Sequence, residues 1–128
     1  MGDVSNSSDH KISATQTDWR VSVEFNGVTI ADSSKAILFQ EGSMAPVYYF
    51  PRDDVRMDLM RPSRHKTHCP FKGDASYWSL TVGEKYLQNV VWSYEKPIEE
   101  VVSIKSFVAF YMDHLGATYD EDSEDTHS

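Results

Sequence analysis

Apolar and polar residues alternate with a period of two in several stretches of the chain. In "WRVSVEFNGVTIADS", Val21, Val23 and Phe25 fall on one face and Arg20, Ser22 and Glu24 on the other. Asn26-Gly27 then turns the chain into a second alternating run, with Val28 and Ile30 set against Thr29 and Ala31, so a hairpin is predicted. "KAILFQ" and "PVYYF" give two further short β-rich runs, and "YWSLTVGEKYLQNVVWSYE" a second hairpin turning near Gly83-Glu84. Five or six short strands at this spacing predict a mainly β domain, twisted and largely antiparallel.

Two segments carry a helical signal. "PRDDVRMDLM" opens on Pro51, has Asp53 and Asp54 in its first turn and spaces Val55, Leu59 and Met60 as one apolar face, which predicts about two helical turns. In "PIEEVVSIKSFVAFYMDHL", Ile98, Val101, Val102 and Lys105 suit a helix, whereas Val108, Phe110 and Met112 alternate as in a strand. That segment is read as a helical turn leading into a last strand. No repeat is visible.

The ends differ in composition. Residues 1–17 are rich in Ser, Asp, Asn and Thr and are expected to form a flexible arm, because they offer too little apolar surface to offset the entropy of ordering. Residues 119–128, "YDEDSEDTHS", hold five acids and no base and are expected to be a disordered acidic tail. A single domain over 18–118 remains, as 128 residues allow. Aromatic residues are 12% of the chain and must supply much of its core.

One cysteine excludes an internal disulfide, and the first twenty residues contain no apolar run of signal-peptide type, so a cytoplasmic location is expected. The longest apolar run, "FVAFYM", is strand-sized and suggests no membrane partner. The net charge of −8 argues against a nucleic-acid partner. Most of it lies in the tail, which leaves −3 for the rest of the chain. Arg52, Arg56, Arg61, Arg64, Lys66 and Lys72 cluster in sequence, either as a local positive patch or as charges paired with neighbouring acids, Lys72 with Asp74 among them.

The stretch "RHKTHCPFKGDASYWS" concentrates the candidate chemistry. His65, His68 and Cys69 are metal-ligand types, with His114 as a distant third imidazole, but the paired Cys-x-x-Cys knuckles of a structural zinc site are missing. No metal or cofactor is expected. Cys69 is either a nucleophile activated by nearby positive charge or a small buried hydrophobe beside proline. Lys72-Gly73-Asp74 is neither a P-loop nor a dinucleotide fingerprint, and Gly73 is expected to supply a positive backbone angle in a turn. Alternation places Tyr77 and Trp78 on opposite faces, and likewise Tyr48 and Tyr49. Some rings must therefore leave the main core, where they can line a groove.

Four blocks carry a family resemblance: Tyr49-Phe50-Pro51; Cys69-Pro70-Phe71-Lys72-Gly73 with Ala75, Tyr77 and Trp78; Trp92 with Tyr94 and Pro97; and Val108 to Tyr111. In this order they strongly resemble the family catalogued as domain of unknown function 427. The resemblance implies a small β-tent-like fold of two antiparallel sheets with one or two short helices, similar to methionine sulfoxide reductase B and the ligand-binding domain of cereblon. Those relatives usually hold zinc with two Cys-x-x-Cys pairs, which this chain lacks, and use the concave sheet as a ligand site. The family's nucleotidyltransferase-like name finds no paired-carboxylate metal site here, since Asp53 and Asp54 are adjacent and would diverge on a helix.

The expectation is thus a cleft that binds a small anionic or aromatic molecule, with or without catalysis. Its lining would include Tyr49, Arg52, Asp74, Tyr77, Trp78, Trp92 and Tyr94, with Lys72 holding an anionic group and Cys69 as the catalytic thiol if a reaction occurs. One alternative is a non-enzymatic module with an aromatic cage for a peptide or protein partner. In another, the blocks are purely structural.

Overall fold

A computed structural model describes residues 11–122. Ten strands follow one another among these residues: β1 (Ile12–Gln16), β2 (Arg20–Phe25), β3 (Val28–Ser33), β4 (Ile37–Glu41), β5 (Val47–Tyr49), β6 (Met60–Cys69), β7 (Gly73–Val82), β8 (Lys85–Pro97), β9 (Val108–Phe110) and β10 (Asp120–Asp122). Every pairing between them is antiparallel. The fold is mainly β, and both predicted hairpins, β2-β3 and β7-β8, form at Asn26-Gly27 and Gly83-Glu84.

The strands divide among three sheets rather than the expected two, in the orders β1-β4-β5, β10-β2-β3 and β6-β7-β8-β9. The segment around Pro51 joins them. Phe50, just past β5, exchanges both backbone hydrogen bonds with Val108 of β9, each 2.8 Å. Five residues on, Val55 bridges Ala31 of β3, and the Arg56 N–H donates to the Ile30 carbonyl at 2.9 Å. This second bridge explains why "PRDDVRMDLM" is not the predicted helix. Val55 is extended, and what remains is two single 3-10 turns, Arg52–Asp54 and Met57–Leu59.

Alternation on strands that face apolar surroundings on both sides produces two cores. Tyr48, Phe50, Trp78, Leu80, Val82, Val91, Val108 and Phe110 pack with Val21, Val23 and Ile30 in the first. Tyr49, Ala75, Tyr77, Tyr94 and Ala109 pack with Ile37, Phe39, Val101 and Ile104 in the second. The four-stranded sheet is the wall between them. The second core is closed by the 3-10 segment Glu99–Ile104, where the helical turn was expected. Met112, read as continuing the last strand, instead begins a one-turn helix, α1 (Met112–Leu115), because β9 ends at Phe110.

Two boundaries are corrected. Residues 12–16 of the expected N-terminal arm form β1, held along its length by pairing with β4, and the Thr17 hydroxyl donates to the Ala36 carbonyl at 3.0 Å. Most of its side chains are exposed, so backbone bonding orders it without leaving a hydrophobic pattern. At the other end, Asp120–Asp122 pairs with β2, the Tyr48 hydroxyl donates to Glu121, and Tyr119 packs edge-on against Tyr48 at 4.7 Å. The remainder of both predicted termini lies outside the described residues. β6 was also missed: it is a largely exposed edge strand whose register breaks between Pro62 and Lys66, so no period of two survives.

Gly73 begins β7 at φ +115, and a Cβ there would lie 3.0 Å from the Lys96 carbonyl oxygen and 3.2 Å from the Pro97 Cα. Gly27 also has positive φ but faces open space. Gly73→Ala is expected to lower stability by about 2–3 kcal/mol, and Gly27→Ala by about 1 kcal/mol. Thermal denaturation of the two variants checks the order, and equal losses would mean that backbone angle alone matters.

Candidate functional site

The Cys-Pro-Phe-Lys-Gly block is a turn that aims a lysine. The Cys69 carbonyl accepts from the Lys72 N–H at 3.1 Å, with Pro70 in the second position, where its fixed φ favours a β-turn. The Lys72 carbonyl accepts from the Ile98 N–H at 3.0 Å, which ties the turn to the chain leaving β8. So anchored, Lys72 reaches across to the first sheet. Its Nζ donates to Glu41 Oε1 at 2.6 Å and lies 5.5 Å from the centre of the Phe39 ring and 5.9 Å from that of Tyr94. Both side chains of the pair are only 14% exposed. Asp74 is not the partner: it is exposed and sits 2.7 Å from His68 Nδ1.

Beside this ion pair lies a cleft of about 270 Å³, lined by Phe39, Glu41, Val47 and Tyr49 of the first sheet, by Met44 and Ala45 of the loop between β4 and β5, and by Lys72, Tyr77, Trp92, Tyr94 and Tyr111 from the other side. The rings hold one another. The Trp92 Nε1–H donates to the Tyr49 hydroxyl at 3.2 Å with the rings perpendicular, and Tyr49 meets Phe39 edge-on at 5.5 Å. Tyr111 packs on Trp92 at 4.4 Å, and its hydroxyl lies 3.5 Å from that of Tyr77. The Tyr77 hydroxyl in turn is 2.9 Å from Thr67 Oγ1 on β6. Burial pushes the Tyr49 and Tyr94 hydroxyls far above the ordinary tyrosine range. Tyr111 is pushed up to about 12, by burial first and then by its hydrogen bond with Tyr77. All three are therefore neutral hydroxyls at ordinary pH.

Of the residues expected at the site, Tyr49, Lys72, Tyr77, Trp92 and Tyr94 line this cleft. Trp78 does not, because alternation turns it into the first core, and Arg52 accompanies it, 5.0 Å above its ring, while donating to Ser93 Oγ and Glu95, each at 3.1 Å. Cys69 is half-buried against the second core, and Asp74 faces outward with His68. The lining, among the described residues, holds no cysteine, serine or histidine. His65 lies against Tyr77 and His114 against Tyr111, and the described residues include no group of three His, Cys, Asp or Glu able to hold a metal ion.

Sequence reasoning missed Phe39, Glu41, Met44, Val47 and Tyr111. Phe39 and Val47 lie in β-runs that were recognised, and Tyr111 ends the fourth block, so their strands were legible but not their convergence. Glu41 gave no signal, since its partner is 31 residues away. In the basic cluster, Arg56 pairs with Asp58 at 2.8 Å, which favours local pairing over a free positive patch at that residue, whereas Lys66 donates to the uncharged Ser76 hydroxyl at 3.1 Å. No helix of the described residues is long and apolar enough to cross a membrane.

Residues 13–121 match the family described as Domain of unknown function (DUF427), a span that contains all four blocks. No curated protein matches the chain.

Lys72→Met and Glu41→Gln are each expected to cost roughly 2 kcal/mol, because either leaves a nearly buried charge uncompensated, while the double variant costs less than the sum. A denaturant double-mutant cycle checks this, and strict additivity would show that the pair is uncoupled. The buried hydroxyls set a second expectation. A raised folded-state pKa keeps Tyr49, Tyr94 and Tyr111 protonated in the fold while the unfolded chain ionises near pH 10, so stability is full below about pH 10 and falls above it. In an alkaline titration, tyrosinate absorbance from Tyr49 and Tyr94 should appear only with unfolding, and its appearance in the folded protein would contradict their burial.

Proposed function

The chain belongs to the domain of unknown function 427 family, whose description names no activity, and we propose from the cleft itself that the protein binds a small, flat, largely apolar molecule there. The observation that carries this reading is the convergence of Tyr49, Tyr77, Trp92, Tyr94 and Tyr111 on one opening that also holds a single, nearly buried ion pair. A mostly apolar hollow with a few fixed polar groups is the usual form of a small-molecule site, and 270 Å³ suits one or two rings. Trp92 and Tyr111 supply stacking faces, and the Trp92–Tyr49 bond fixes the indole before any ligand arrives. The charge of Lys72 is matched by Glu41, so the anionic preference expected from the isolated lysine loses its support. A covalent step through Cys69 loses its support as well, because the thiol is not among the lining groups. Binding is thus proposed without a reaction.

One observation favours a second reading. A hollow of about 440 Å³, which includes Phe110, Met112, His114 and Tyr119, adjoins the cleft and shares Met44, Ala45, Val47, Trp92 and Tyr111 with it. Met44 is 64% exposed at this shared wall. A groove continued in this way is long enough for a peptide segment, with the cleft taking one side chain.

Ligand-observed NMR against a set of one- and two-ring aromatic compounds of differing charge tests the main reading. Members of the set are expected to bind, to weaken at least tenfold in Trp92→Leu, and to be unaffected by Tyr86→Ala at an exposed site elsewhere on β8. Binding by no compound, or binding that survives Trp92→Leu unchanged in a folded protein, would overturn it.

A further inference from the structure

Along the cleft, four polar side chains have hydrogen-bonding capacity that the protein does not use. Tyr94 is only 6% exposed, yet its hydroxyl has no hydrogen-bond partner among the described residues. Among the described residues the sealed side-chain atoms without partners are Arg52 Nε and Asn89 Oδ1, so the equally unpaired Tyr94 oxygen is not sealed and reaches open space. Tyr94 is one of the residues that line the cleft. The Tyr49 oxygen accepts from Trp92 and keeps its own proton to donate. Lys72 directs one N–H to Glu41 Oε1, which leaves two further donors on the ammonium and a second oxygen on the carboxylate.

Donors and a carboxylate acceptor thus stand side by side around a pair whose net charge is zero. An anionic ligand meets Lys72 already neutralised and Glu41 repelling it, and a cationic ligand meets the reverse, while burial makes either full charge costly to desolvate. An uncharged group that both accepts and donates satisfies both sides at once. Resting on the reading of the cleft as a small-molecule site, the geometry points to a planar carboxamide-type ligand. Its carbonyl oxygen accepts from the Tyr94 hydroxyl and from Lys72, its N–H donates to Glu41, and its ring packs against Trp92 and Tyr111.

Benzamide, benzoate and benzylammonium are probes of similar shape that differ in charge, and titration of the whole protein with each tests the class. Benzamide is expected to bind at least tenfold more tightly than either ion. Tyr94→Phe should weaken benzamide about fivefold, the worth of one neutral hydrogen bond, with no loss of melting temperature, because the hydroxyl bonds nothing in the free protein. In Glu41→Gln the uncompensated Lys72 should reverse the order in favour of benzoate. Benzoate binding the native protein as tightly as benzamide, Tyr94→Phe binding benzamide undiminished, or other ring compounds binding where benzamide does not would each overturn the carboxamide class and leave the cleft as a small-molecule site. Failure of every ring compound overturns both.

Discussion

The backbone exchange between Phe50 and Val108 is the constraint on which the rest of the arrangement depends. Strand β5 belongs to the first sheet, and one residue later the chain is bonded to the last strand of the four-stranded sheet. Five residues beyond that it is bonded to the edge of β3. A stretch of nine residues therefore sets the relative positions of three sheets, and Pro51 in its middle limits the angles through which it can pass. The Phe50 side chain is fully buried beside Phe110 at 5.7 Å, so the bridge is shielded from competing water.

With β5 fixed against β9, alternation decides where each ring must go. Tyr48 and Tyr49 diverge into separate cores, as do Trp78 and Tyr77, and the cleft opens where the first sheet leans over the second-core face of the four-stranded sheet. The Lys72–Glu41 pair spans the same junction from the other side. An ion pair in a position with little exposure contributes less to net stability than its short distance suggests, since both groups lose hydration. What it supplies is a fixed distance between the two walls.

Much of this was legible in the sequence. The two hairpins followed from alternation and Asn-Gly or Gly-Glu turns, the divergence of adjacent rings from the period of a strand, and the positive backbone angle at Gly73 from the conformational freedom of glycine. The limits have physical causes. β1 and β10 are ordered by backbone bonds that any sequence can make, and their polar composition reads as disorder. The segment after Pro51 has the local preferences of a helix, which the long-range bridge at Val55 overrides. Lys72 was read with its neighbour in sequence, whereas its partner is on another sheet; a list of charges along a chain contains no signal for that contact.

The outer edge of the four-stranded sheet is β6, whose far side pairs with no described strand. Such an edge is a template on which a second copy could add a strand and begin an aggregate. Here Pro62 removes an amide donor, the register slips before Lys66, and Arg61, Arg64 and Lys66 place like charges along the same ten residues. Two copies brought edge to edge would meet a missing donor, a bend and mutual repulsion. The segment that offered no legible strand pattern is thus equipped to keep molecules apart in a concentrated solution.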